Sequence, residues 1–267
     1  MAAHGQAFRC APEPQAKEMS AIQIEHLRKI IMMKRWIVGL VLCISVVSFS
    51  GVHSLNQQSF SILDQGLMAY WSFDEGEGDI AFDETNNGND AVLYGPTWVE
   101  GKRGFALRFD GVDDTVAIPH SASLMPTDAI TLAAWVKIEG PAQEHYGIIG
   151  KSGYSSGYRL LIHGTTKKVL FQLTGEKGYS VWSSTAIPDD QWHFIVATYD
   201  GSKMKLYIDG IKDPSEKERP GPLDVNTSSV LIGKPQYAFN GLIDEVRIYS
   251  RALSEEEIKE LFQMGQP

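Results

Sequence analysis

Gly241-Leu242-Ile243-Asp244-Glu245-Val246-Arg247-Ile248-Tyr249-Ser250-Arg251-Ala252-Leu253-Ser254 is the stretch on which the reading of the chain turns. Read as a strand, its period of two puts Leu242, Asp244, Val246 and Ile248 on one face and Ile243, Glu245, Arg247 and Tyr249 on the other. Asp244 is then the odd residue on an apolar face. A carboxylate there needs a hydrogen-bond donor, a counter-charge or a metal, so the last strand has to meet a partner from elsewhere in the chain. Just beyond it, Ser254-Glu255-Glu256-Glu257 forms an N-cap with a capping-box Glu, and Ile258, Leu261 and Phe262 make an apolar stripe. That is the one credible helix, short and terminal, and it is expected to cover an edge or an end of the fold.

Outward from this stretch the alternation recurs. Residues 67–74, 91–94, 105–109, 115–119, 130–138, 158–163, 169–173, 192–199, 204–208 and 230–233 read as strands. Turn residues separate them roughly every ten positions, the rhythm of a sandwich. Asp200-Gly201 and Asp209-Gly210 mark a tight hairpin. The fold class is therefore all-β, a two-sheet antiparallel sandwich with one short C-terminal helix. No break in composition divides residues 66–267, which read as one domain.

Composition agrees with that class. Gly (25) and Pro (12) suit turns, and 43% hydrophobic residues in 267 allow a sizeable core. A net charge of −9 argues against nucleic acid, or an anionic membrane surface, as the main partner. Cys10 and Cys43 both precede the strands, which excludes a disulfide or a C-x-x-C zinc site inside the domain.

The N-terminal part reads as an address. Met33-Lys34-Arg35-Trp36 is basic, and residues 37–49 form an apolar run of signal-peptide length, shorter than a membrane span. Val52-His53-Ser54 fits cleavage after Ser54. Residues 33–54 are thus expected to be a signal peptide, with an uncleaved signal anchor as the alternative. Leu42 ahead of Cys43 argues against a lipid anchor. Residues 1–32 are an unassigned leader that a start at Met32 or Met33 would remove, and 55–65 a linker. The protein is expected to be secreted or at the cell surface, touching membrane only through that segment if it stays uncleaved.

Six ordered motifs carry a family resemblance: Tyr70-Trp71-Ser72-Phe73-Asp74-Glu75-Gly76, Asn86-Asn87-Gly88-Asn89-Asp90-Ala91, Phe109-Asp110-Gly111-Val112-Asp113-Asp114, the run from Trp192 to Gly201, Leu206-Tyr207-Ile208-Asp209-Gly210 and the opening stretch. Together they resemble the laminin G-like jelly-roll family of the concanavalin A-like lectin/glucanase superfamily. The resemblance implies a jelly roll of two antiparallel sheets, first and last strands paired. It also implies an exported binding module, often calcium-bearing, that engages a glycan or an extracellular protein.

That pairing would bring Asp74 near Asp244. Calcium takes six to eight oxygens, so a structural site from Asp74 and Asp244, with Asp83 and Asn89 contributing, is the expectation. Otherwise Asp244 caps loop amides or pairs with Arg247 or Arg103. For ligand binding, Tyr146, Tyr154, Tyr179 and Trp182 lie in or beside the loops of the central hairpins, where exposed rings stack on sugars; Trp182 serves equally well as a core residue. Catalysis is not expected. Gly153-Tyr154-Ser155-Ser156-Gly157 fits G-x-S-x-G but is followed by a strand instead of a helix. No strand carries the carboxylate pair of a glycoside hydrolase, and the histidines show no metal-ligand spacing. The reading is a non-catalytic binding module; the alternatives are a divergent glycoside hydrolase and a structural surface module without a small ligand.

Overall fold

The computed structural model describes residues 62–266 apart from 142, 153–156, 176–177 and 225. The signal segment, the leader, most of the linker and Tyr154 lie outside the described residues. Those residues belong to one compact unit, Phe49–Pro267. No helix among them is long and apolar enough to cross a membrane.

Among the described residues sixteen strands follow in order: β1 (Leu67–Trp71), β2 (Ile80–Ala81), β3 (Ala91–Tyr94), β4 (Thr97–Glu100), β5 (Phe105–Asp110), β6 (Thr115–Ile118), β7 (Ile130–Ile138), β8 (His145–Ser152), β9 (Gly157–His163), β10 (Lys168–Thr174), β11 (Tyr179–Ala186), β12 (Trp192–Tyr199), β13 (Lys203–Ile208), β14 (Ile211–Glu218), β15 (Val230–Ile232) and β16 (Asn240–Tyr249). One α-helix, α1 (Glu255–Met264), closes the chain. The strands form two antiparallel sheets. Sheet one runs β14-β13-β12-β7-β16-β5-β4, with β1 also paired to β16, and sheet two runs β11-β10-β9-β8-β15-β6-β3-β2. First and last strands therefore do pair, with Trp71 opposite Val246.

Between the sheets lies the main core, which includes Trp71, Phe73, Phe109, Tyr146, Phe171 and Phe239. Its inward positions come from the period-two apolar residues, such as Leu132, Ala134 and Val136 of β7 against Leu160 and Ile162 of β9. A second cluster sits on the far side of sheet one. There Trp135, Phe194, Val196, Tyr207 and Tyr249 are covered by Ile258 and Leu261 of α1. Trp135 stacks on Phe262 with ring centroids 5.5 Å apart. The capping box is present in both directions, Ser254 with Glu257. Contrary to expectation, α1 covers a face of the sandwich and not an edge or an end, because its stripe meets a sheet whose outward residues are themselves apolar.

The strict period of two fails in β16. Its pairing with β7 shifts register between Asp244 and Arg247, and Glu245 has φ +54, a left-handed conformation. Ile243 points into the inter-sheet core before this bulge, Val246 and Ile248 after it. Asp244 is thus not on the core face of its strand. It pairs with Trp135 of β7, on the outward side of sheet one.

Candidate functional site

Two regions concentrate polar atoms that the fold does not fully use. The first surrounds Asp244, which is wholly buried. Its Oδ2 accepts from the backbone amides of Lys102 (2.9 Å) and Arg103 (3.1 Å), while its Oδ1 is buried without a hydrogen-bond partner. Asp74 reaches the same turn, its Oδ1 accepting from the Phe105 amide at 3.0 Å. Glycines make the approach feasible. A Cβ on Gly104 (φ +60) would stand 1.9 Å from Asp74 Oδ1, and one on Gly101 would stand 2.8 Å from Asp244 Oδ2. Burial pushes the Asp244 carboxyl up to about 8; the Arg103 amide opposes this, and the charges of Glu245 and Asp74 add to it. Neither Arg247 nor the Arg103 side chain neutralises it. Arg247 is bound to Glu245 (2.6 Å) and lies over the Tyr70 ring, 3.8 Å from its centroid.

Asp83 and Asn89, the other two residues expected at this cation site, are placed elsewhere and are already engaged. Asp83 accepts from the amides of Tyr70 (3.2 Å), Thr85 (3.0 Å) and Asn89 (2.9 Å) and from the Thr85 hydroxyl (2.8 Å). Asn89 donates through Nδ2 to the Met68 carbonyl (2.9 Å) and accepts through Oδ1 from Ser123 (2.9 Å). Asn87 also donates to Met68 O. The loop therefore satisfies the backbone of β1, which would otherwise offer unpaired groups to another strand. The three carboxylates Asp110, Asp113 and Asp114 lie within 4.8 Å of one another, but the first two are exposed and Asp114 accepts from the Asp110 amide. They are a turn.

The second region is the outward side of sheet two. Period two along β9 directs Arg159, Leu161 and His163 to that side, and along β10 Lys168, Leu170 and Gln172, with Leu161 and Leu170 buried between the half-buried polar ends. Leu170 pairs with Leu161 on one flank and Trp182 of β11 on the other. His145 of β8 lies opposite His163, and Gly147 opposite Leu161. The 233–239 loop crosses over β8 here: a Cβ on Gly147 would meet the Tyr237 carbonyl at 2.3 Å and Pro235 at 2.6 Å. Four rings gather above Leu161 and Leu170. His145 stacks on Tyr237 (4.7 Å between centroids) and meets His163 edge-on (5.1 Å), and Trp182 lies 6.0 Å from His145 and 5.7 Å from His163. Trp182 is 39% exposed.

The polar rim of this platform is defined. His163 Nδ1 accepts from the amides of Thr165 (3.2 Å) and Thr166 (3.1 Å), so the neutral ring carries its hydrogen on Nε2 as a donor. His145 is held below the usual imidazole range by burial and then by His163, with Glu144 acting the other way. Its Nδ1 is buried without a hydrogen bond, 3.9 Å from Glu144. Arg159 donates through Nη1 to Gln236 Oε1.

Of the aromatic residues expected to bind ligand, Trp182 is on this platform, Tyr146 and Tyr179 are not, and Tyr154 lies outside the described residues. Tyr146 is fully buried, its ring edge-on to Phe239 and its hydroxyl donating to the Pro141 carbonyl. It sits inside β8, where the parity that exposes His145 turns Tyr146 inward. Tyr179 faces the core side of β11, with the Arg219 guanidinium 5.7 Å from its ring. Sequence reasoning missed His145, His163, Tyr237 and Arg159. Arg159-x-Leu161-x-His163 beside Lys168-x-Leu170-x-Gln172 was the signal available, two facing strands with polar ends and an apolar middle.

Comparison with known proteins agrees with the architecture. Pappalysin-1 of Mus musculus is 29% identical over 175 residues, covering 57% of this chain and 11% of its own length, so the chain spans only a small part of that relative. Domain 4 of AbnA, a GH43 extracellular arabinanase from Geobacillus stearothermophilus solved in complex with arabinotriose, superposes with a TM-score of 0.64 at 24% identity, covering 74% of this chain and 98% of that domain. A botulinum neurotoxin type C structure, described with cell entry dependent on two ganglioside molecules, gives a TM-score of 0.60 at 18% identity over 78% of this chain and 53% of its own. The family model that matches residues 110–259 is Laminin_G_3, and the chain belongs to that family of the concanavalin A-like lectin/glucanase superfamily.

Proposed function

We propose that the protein is an exported, non-catalytic binding module that holds a glycan on the outward side of sheet two. The four-ring platform of His145, His163, Trp182 and Tyr237 carries this reading. Aromatic faces stack on the apolar faces of sugar rings, and the imidazole, amide and guanidinium groups around them suit hydroxyls. Among the described residues Glu144 is the carboxylate that pairs with these rings, where glycoside hydrolysis ordinarily uses two acids. A glycan array, followed by titration of the whole chain with each hit and with arabinotriose, tests the reading. Saturable binding that Trp182→Ala weakens at least tenfold supports it. Binding that survives Trp182→Ala places the site elsewhere.

A structural calcium ion fits the other region. An ionised carboxylate that is fully buried, with one oxygen unbonded and another acid beside it, is unfavourable without a cation. Asp244 and Asp74 would hold it, with other oxygens completing the shell, and Asp83 and Asn89 would contribute none. Bound there, calcium would neutralise both acids and tie the β4–β5 turn to β16. In a thermal melt, added calcium should raise the Tm and a chelator should lower it, an effect that Asp244→Asn abolishes. Identical melts with calcium and with chelator would remove the ion from the account.

A further inference from the structure

We infer that the ligand of this platform bears a carboxylate, as a uronic or sialic acid residue does, and that Arg159 selects it; this rests on the glycan reading above. Arg159 lies on the outward side of β9, two residues or about 7 Å along the strand from Leu161. Gln172 pairs with it on one side and Gly150 on the other. The glycine leaves the room: a Cβ at Gly150 would stand 3.1 Å from Arg159 Cγ and 2.9 Å from Pro235.

What sets this guanidinium apart is the lack of a counter-charge in a half-buried setting; Arg103, the other described arginine that faces no carboxylate, is exposed. Arg108, Arg219, Arg247 and Arg251 each face a carboxylate, respectively Glu139, Asp224, Glu245 and Glu257. Arg159 has only the neutral side-chain oxygen of Gln236, an exposed residue of the 233–239 loop, and its Nε has no partner at all. No carboxylate pairs with it among the described residues, in a chain with 33 acidic and 24 basic side chains. Lys168 adds a second cation to the same side of the sheet, and Glu144 lies at the His145 end. A half-buried guanidinium favours a charged, planar, two-oxygen acceptor over a single amide oxygen, because charge-assisted bonds are roughly twice as strong and the fork matches a carboxylate. Burial lowers the Arg159 pKa, and Tyr237 acts the other way. A ligand carboxylate would displace Gln236, whose amide then returns to water.

Matched probes isolate the charge: trigalacturonate against its methyl ester, and sialyllactose against lactose, each titrated calorimetrically into the whole chain. At least one acid should bind tenfold or more tightly than its neutral counterpart. That advantage should shrink between ~50 and ~500 mM salt, which needs no variant to observe. Arg159→Gln should bring the acid down to the neutral probe's affinity, and Arg159→Lys should restore only part of the difference, because a point charge lacks the fork. Trp182→Ala should weaken both members of a pair. If acid and neutral probes bind equally and both depend on Trp182, the glycan platform stands and the carboxylate inference falls. If an acid preference persists in folded Arg159→Gln, Arg159 is not the selecting residue and the inference falls with it. If none of the four probes binds while neutral glycans from the array do, the carboxylate inference falls and the glycan platform stands.

Discussion

On the outward side of sheet one, Trp135, Phe194, Tyr207 and Tyr249 are shut beneath α1, and Trp135 is 2% exposed. On the outward side of sheet two, His145, His163, Trp182 and Tyr237 form a comparable group of rings with no helix over it, and Trp182 is 39% exposed. Rings on the first side gain their stability from the chain's own cover. On the second, Trp182 stays exposed and the other three rings are half-buried, and exposed aromatic patches with polar rims are common at binding surfaces.

Substitutions should separate the two sides. Trp135→Ala removes the ring between β7 and α1 and should cost about 3–5 kcal/mol in urea unfolding, the range for a buried Trp, with ligand affinity in the folded fraction unchanged. An intermediate effect comes from the seam that keeps the sheets' edges together. Asp213 of β14 accepts from the amides of Ser184 and Thr185 of β11 and from Ser215, each at 2.9 Å. Burial pushes its carboxyl up, but these amides outweigh that and hold it at about 2, from an ordinary 3.8. A depressed folded-state pKa means stability that is complete above the unfolded value and disappears as pH falls through the folded one. The wild type should therefore lose on the order of 2 kcal/mol between about pH 5 and pH 2 through this residue. Asp213→Ala should show that component missing from its pH–stability curve. Smallest in stability is Trp182→Ala, expected within about 1 kcal/mol of wild type by the same unfolding assay, while it abolishes most ligand binding.

The sequence made the central strands readable. In β7 and β12 uninterrupted apolar alternation marks 130–138 and 192–199, and both strands occupy those residues. The Asp209-Gly210 turn was equally plain, with both residues at positive φ. Edge and outward strands were not. β14 contains Pro214 and few apolar residues, which an edge strand tolerates and a central one does not. β11 is rich in serine, and β8 is interrupted by Gly147 and Gly150. Those glycines are there so that the 233–239 loop can lie against the sheet. The platform depends on that loop, on the β8–β9 register that sets His145 against His163, and on a Trp from β11. Such convergence exists only once the strands are paired. Asp244 was conspicuous from the start, yet its side of the strand could not be assigned without the bulge at Glu245.

Whether the outward side of sheet two is the ligand surface is decided by NMR on the whole chain titrated with a glycan found on the array. Saturable shifts are expected in the Trp182 indole and the His145 and His163 imidazoles, with the Trp135 indole unmoved beneath α1. Shifts confined to the Trp135 side, or to the turn from Gly101 to Phe105, would contradict that placement.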